Sequence, residues 1–378
     1  MAADQTSDLD DAFTGISDHY RGTLEDPHPV YKKFRAENPI YAGNFMAEMG
    51  VPSIAGPAAN RPTFTLFKHA DTMRVMRDAK TFTSGFIAEG LGAFLDGLIL
   101  TGMDGLDHKK ARALLAPAFT PSAINAWRGD RIDRVIREEF VAPLAAAGKS
   151  ADLMEMGLAF PVRVIYALIG FPENRPEMIQ QFATWALQIL AGPQVDPDKA
   201  AAARQKAGLA IKGLYDAMLP VVQQRRAEGA IGTDLISHLL RLVDDEGQKL
   251  TDHEIVTFVR SLLPAAAETT TRTFGTLMTY LLENPAILEK VRADRSLILK
   301  AIDEAVRIEP TATFKVRQAA EEVEIRGVTI PEGAMVSCIV SSANRDEDVF
   351  ENADVFDPFR QPKPSFGFGF GTHMCIGL

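Results

Sequence analysis

Between Leu106 and about Lys300, roughly half of the chain, apolar residues recur at helical spacing. That run constrains the fold most, because each such stripe must be buried against another element. Pro117, Pro121, Gly148, Gly170-Phe171-Pro172, Gly192-Pro193, Gly229 to Gly232, Asp244 to Gly247 and Pro285 break it. The spacing predicts helices over 130–147, 175–191, 197–228, 233–243 and 251–283. Thr251 and Glu254 form a capping box at the start of the last. Shorter helices are expected over 30–38 and 70–79, and a strand over 63–68. After Pro310 the period falls to two, giving short strands at 322–326, 328–330 and 335–340, with Pro331-Glu332-Gly333 as a turn. The fold class is therefore mainly α with a small β region. Residues 1–378 are read as one domain.

Apolar residues make up 46% and charged residues 24% of the chain, which excludes a disordered chain. The net charge of −10 argues against nucleic acid as the main partner. Residues 1–13 are acidic and lack the apolar core of a signal peptide. The apolar stretch 157–171 carries Arg163, so no membrane insertion is expected. Cys338 and Cys375 form no C-x-x-C pair, which fits a reducing, cytoplasmic setting. Residues 82–105 are rich in glycine and in apolar side chains. They read as a long loop, either a lid or a segment docked on the core.

The C-terminal segment 366–378 carries the most chemistry. Its glycines alternate with Phe366, Phe368 and Phe370, and a single cysteine follows. Alternate glycines let a backbone approach something flat. A thiolate among backbone N–H groups is a plausible single metal ligand. The G-x-G-x-G spacing is not a dinucleotide fingerprint, which needs G-x-G-x-x-G opening a helix. His373 and Cys375 are too few for a zinc site. Taken alone, a structural loop with a buried cysteine remains open.

The string Phe368-Gly369-x-Gly371-x-His373-x-Cys375-x-Gly377 resembles the haem-binding loop of the cytochrome P-450 superfamily. Three further motifs follow the family's order. Glu304-x-x-Arg307, with Arg360 of Phe356-Asp357-Pro358-Phe359-Arg360, is similar to the family's buried structural triad. His108 and Arg112 match an H-x-x-x-R helix that holds haem propionates. Arg317 and His373 match two further propionate ligands. Ala266-Ala267-Glu268-Thr269-Thr270 resembles the helix that crosses above the haem, although the family commonly has glycine at the position of Ala266. Pro264 is rare there and is expected to distort that helix.

The resemblance implies a P-450 fold with haem b between the acid–Thr helix and the Cys loop. Cys375 would be the axial ligand of the iron, with Phe368, Gly369 and Ala266 against the cofactor. Glu268 would relay protons, and Thr269 would hold the oxygen ligand and water. Phe86, Leu98, Leu263, Ala267, Ala312, Thr313 and Phe314 would line a pocket for a neutral, apolar molecule. The implied function is a soluble haem-thiolate monooxygenase that activates O2 to hydroxylate or epoxidise its substrate. Electrons would come from a separate ferredoxin or flavodoxin docked near Lys109 and Lys110. Two alternatives stand beside it: a peroxygenase driven by hydrogen peroxide, and a non-catalytic binding protein on the same scaffold. Relatives continue into a helix after the cysteine, so a chain stopping at Leu378 reads as truncated.

Overall fold

The computed structural model describes residues 13–52, 61–89, 99–146, 148, 152–171, 175–194, 196–244 and 247–378. In chain order the principal elements are α1 (His28–Glu37), β1 (Ile40–Ala42), β2 (Thr63–Leu66), α2 (His69–Arg77), β3 (Phe82–Thr83), α3 (Gly105–Leu115) and α4 (Leu153–Ile169). These are followed by α5 (Pro176–Leu190), α6 (Pro197–Ala227), α7 (Leu235–Arg241), α8 (Asp252–Glu283), α9 (Pro285–Ala293) and α10 (Leu297–Ile308). The chain closes through β4 (Phe314–Ala319), β5 (Val323–Ile325), β6 (Val328–Ile330) and β7 (Met335–Ile339).

Two compact units are distinguished where the sequence reads as one domain. The first comprises Met1–Tyr20, Pro52–Ile54 and Gly90–Thr271; the second comprises Arg21–Val51, Ala55–Glu89 and Arg272–Leu378.

The first unit is helical. The capping box at the start of α8 forms as its sequence predicts. Thr251 N–H donates to Glu254 Oε2 at 2.8 Å, and Glu254 N–H donates to Thr251 Oγ1 at 3.2 Å. Pro264 does not end α8, which runs unbroken from Asp252 to Glu283. Arg163, the charge inside the most apolar stretch, lies buried in α4. It donates both limbs of its fork to Glu139, at 2.8 and 2.7 Å. Part of the helix expected over 130–147 is wound more widely, as π-helical segments at Arg128–Asp133 and Ile136–Val141. No helix among the described residues is long and apolar enough to cross a membrane.

The second unit holds the strands. Five form a sheet of order β1-β2-β7-β4-β3, in which only the β2–β7 pair is parallel. β5 and β6 form a separate hairpin. Its two turn residues, Arg326 and Gly327, have φ of +50° and +79°, the twist that a two-residue hairpin turn demands. One sheet face packs Leu66, Ala319, Val336 and Cys338 against Val75 and Met76 of α2 and against Phe366 and Phe370. The C-terminal loop is thereby anchored to the sheet core.

Candidate functional site

The C-terminal loop is held at both ends and turned by glycine in between. Phe366 is fully buried, and its N–H donates to Asn344 Oδ1 at 2.8 Å. Gly369 N–H donates back to the Phe366 carbonyl at 2.8 Å, and Cys375 N–H donates to the Phe368 carbonyl at 2.8 Å. Gly369 and Gly371 have φ of +74° and +70°, a region closed to most side chains. A Cβ at Gly371 would also meet the Met76 carbonyl at 2.5 Å. The glycine spacing is thus a steric requirement of this turn. The turn leaves Cys375 a free, exposed cysteine, whereas Cys338 is buried. Burial pushes the Cys338 thiol up to about 12, which makes it inert.

Behind the loop sits the acidic–basic triad. Arg307 donates from Nε to Glu304 Oε2 and from Nη2 to Glu304 Oε1, each at 2.8 Å. Arg360 Nε donates to the same Oε1 at 2.9 Å, as does the Asp357 N–H. Arg307 Nη1 also donates to the carbonyls of Asn344 and Ala353, at 2.8 and 2.9 Å. Glu304 is 4% and Arg307 3% exposed. These charges are therefore desolvated, and their hydrogen bonds compensate for it. Asn344 links the triad to the loop, since its carbonyl accepts from Arg307 and its side chain from Phe366.

The same sheet face bears cations. Lys315 and Arg317 lie two residues apart on β4, pairing with Cys338 and Val336 of β7. Both leave the face that packs on Phe366 and Phe370. Arg317 Nη1 donates to the Val316 carbonyl at 2.8 Å. Partial burial pushes the Lys315 ammonium down to about 8; Arg317 pushes the same way, and the Cys375 sulfur opposes it. Lys315 is a charged residue within electrostatic reach of Cys375 that sequence reading misses. A strand's alternation shows that positions 315 and 317 share a face, but not that the face is the one the loop covers. His373 Nε2 lies 3.2 Å from Ser84 Oγ, in hydrogen-bonding contact.

The first unit has its own polar groups. His108 is buried on α3, Arg112 is partly buried, and Lys109 and Lys110 are exposed. On α8, Thr269 and Ala265 are exposed, and Thr269 Oγ1 donates to the Ala265 carbonyl at 2.6 Å. Glu268 is partly buried and lies near Tyr20. Burial and the Glu268 charge together push the Tyr20 phenol up. Tyr20 in turn donates to the Leu190 carbonyl at 2.7 Å.

The apolar lining candidates divide. Ala266, Ala312 and Phe314 are partly exposed and Thr313 is exposed. Ala267 is a core residue, packed with Ile16, Val162, Ala183 and Leu187. Phe86 is likewise core, packed with Val316 and Met335, and Leu263 is 1% exposed. Leu98 lies outside the described residues. Pocket walls and cores have the same apolar composition, so sequence alone does not separate them.

These side chains suit a planar dicarboxylate cofactor with a metal centre. The Cys375 sulfur is accessible, and among the described residues no three His, Cys, Asp or Glu side chains are grouped as they would be around a metal ion. Lys315 and Arg317 emerge from the strand face toward the same loop and offer charge to carboxylates.

Comparison with known proteins agrees. The cytochrome P450 family profile matches residues 58–378. The chain is 33% identical to erythromycin C-12 hydroxylase of Saccharopolyspora erythraea, over 82% of this chain and 76% of that one. It is 29% identical to vitamin D(3) 25-hydroxylase of Pseudonocardia autotrophica, over 96% and 85%. The crystal structure of substrate-free CYP109E1 from Bacillus megaterium superposes with a TM-score of 0.78 at 26% identity, covering 93% of this chain and 86% of that one. A haem cofactor, a small-molecule substrate and O2 go with this family. The chain belongs to the cytochrome P450 family, the haem-dependent oxidoreductases that act as monooxygenases.

Proposed function

We propose that this chain is a haem b monooxygenase in which the Cys375 thiolate would ligate the iron. Its substrate would be a neutral, largely apolar organic molecule. One observation carries the reading: Cys375 is accessible at the end of a glycine-turned loop whose ends are tied to the sheet core and the buried triad. Arg317, His373, His108 and Arg112 would hold the propionates, with Phe368, Gly369 and Ala266 against the ring. When bound, the haem iron supplies the centre at which O2 is activated with two electrons. One oxygen atom enters the substrate and the other leaves as water.

The remaining work belongs to the chain. Two protons must reach the reacting oxygen through apolar surroundings. Glu268 would take a proton from solvent and release it inward. The Thr269 hydroxyl would leave the Ala265 carbonyl to hold a water in line with that proton. The Glu304–Arg307–Arg360 triad would keep the loop rigid, so that the sulfur stays at one height. Thr313, Ala312 and Phe314, all with accessible surface, would meet substrate. A relative named for vitamin D(3), and solved structures holding corticosterone and testosterone, support an apolar substrate. Electrons would arrive from a ferredoxin- or flavodoxin-type donor.

The test is substrate-dependent consumption of NADH and O2 by the haem-loaded protein, with ferredoxin and its reductase added. Product containing one atom from labelled O2 is the expected result. Turnover with hydrogen peroxide alone and none with the reductase would replace this reading with a peroxygenase. Substrate binding without turnover in either assay would leave a binding protein.

A further inference from the structure

Ser84 makes a contact that its place in the chain does not require. It follows β3 and opens the short turn Gly85–Ile87, where a serine ordinarily caps the turn's N–H groups. Its side chain makes no such bond. Its backbone is held on both sides. Phe82 and Thr83 pair with Ala319 and Gln318 of β4, and the Ser84 carbonyl accepts from the Ile87 N–H at 2.8 Å. Phe86, two residues on, is anchored in the core by Val316 and Met335. The Ser84 side chain is fully buried, and its Oγ lies 3.2 Å from His373 Nε2, 289 residues away in sequence. His373 closes the turn Gly371–His373, just before Cys375. A fixed strand end therefore meets one nitrogen of the imidazole nearest the sulfur in sequence.

A neutral imidazole has one N–H and one bare nitrogen, and the partner of one nitrogen decides which is which. A serine hydroxyl rotates to suit its partner and can donate to a bare nitrogen. We infer that Ser84 is a positioning residue for His373: its hydroxyl donates to Nε2, which puts the ring proton on Nδ1 and makes that N–H a donor toward an anionic oxygen of the cofactor. With the proton on Nε2 instead, Nδ1 would offer a lone pair to a carboxylate, which is acceptor-only when ionised. This role deepens the haem-thiolate reading and rests on it. The C-terminal motif supplies the histidine; its tautomer is set from the end of β3, outside that motif.

Wild type, Ser84→Ala, His373→Ala and the double variant are prepared as haem-loaded proteins, isotope-labelled at the histidine nitrogens, reduced and saturated with CO. Nitrogen NMR reads the His373 ring, whose signals are identified by their loss in His373→Ala. Wild type is expected to show a protonated Nδ1 and a bare Nε2. Haem transfer to excess apomyoglobin is then timed. Ser84→Ala should release haem about fivefold faster, the change that one neutral hydrogen bond supports. On the His373→Ala background it should add nothing, because the serine acts through the ring. A proton on Nε2 of wild type overturns the assignment, and so does release from Ser84→Ala at the wild-type rate. Equal acceleration with and without His373 also overturns it and makes Ser84 a packing residue at the end of β3. A wild type without the red-shifted thiolate band overturns the haem-thiolate reading, and this assignment with it; the optical spectrum and the ring signals keep the two failures apart.

Discussion

Thr269 and Glu268 differ in what the surrounding structure lets them do. The threonine hydroxyl is exposed and donates to the Ala265 carbonyl, one helical turn back. That bond is exchanged at little cost when a better acceptor arrives. Glu268 is partly buried beside Tyr20, whose own hydroxyl is committed to the Leu190 carbonyl. A carboxylate between solvent and interior can pick up a proton on one side and lose it on the other. Glu268→Gln is therefore expected to lower product formation about a hundredfold, the smaller end of what a positioned acid–base group supplies. Haem content should stay unchanged. Thr269→Ala should retain NADH consumption but lose product, because electrons still arrive while the protonation is misdirected. Assaying NADH used against product formed checks both. The motif spacing singles out these two residues in the sequence. Lys315 was not legible, since its significance depends on which sheet face meets the loop. Nor was the core role of Phe86 and Ala267 visible, because neighbours distant in sequence bury them.

Helix α10 delivers both charges of the triad from one face, as i,i+3 spacing requires, and Arg360 reaches them from beyond β7. The E-x-x-R spacing could equally be a solvated surface pair; only burial distinguishes the two, and burial is a tertiary fact. Because both charges are desolvated, Glu304→Gln or Arg307→Leu should lower unfolding stability by about 3–5 kcal/mol. Denaturant titration of the haem-loaded protein measures this. A second buried arginine behaves differently. Arg35 on α1 is 3% exposed and donates to both oxygens of Glu347, at 3.1 and 3.0 Å. Partial burial pushes the Glu347 carboxyl up, but hydrogen bonds and charge from Arg35 and Lys32 outweigh it and hold it down at about 2. A carboxyl lowered on folding stabilises the fold above its ordinary value of 4.5 and loses that contribution as pH falls toward about 2. Wild type should therefore exceed Glu347→Gln in thermal midpoint at neutral pH, and the difference should close between pH 4.5 and about 2. A constant difference across that window would contradict the assignment. The boundaries of most helices were legible to within two or three residues, because caps such as Thr251-x-x-Glu254 mark them in the sequence. The wide turns at 128–141 were not, since helical spacing does not distinguish an i→i+4 from an i→i+5 ladder.

Across the whole chain the net charge is −10, yet Lys109 and Lys110 sit exposed on α3 beside His108 and Arg112. Against an acidic background even two lysines can steer an acidic electron donor. Replacing both with Glu should slow reduction by ferredoxin and flatten its dependence on salt, measured by stopped flow at several ionic strengths. An unchanged rate would place the donor elsewhere. The family match, the loop that exposes Cys375 and the buried triad behind it support the central proposal, that the Cys375 sulfur would ligate haem iron. The most direct measurement is the spectrum of the haem-reconstituted protein, reduced and saturated with CO, beside Cys375→Ser. The account predicts the red-shifted Soret band of a thiolate-ligated haem in wild type and its loss in Cys375→Ser. A wild type that takes up haem without that band, or a Cys375→Ser protein that keeps it, would contradict the account.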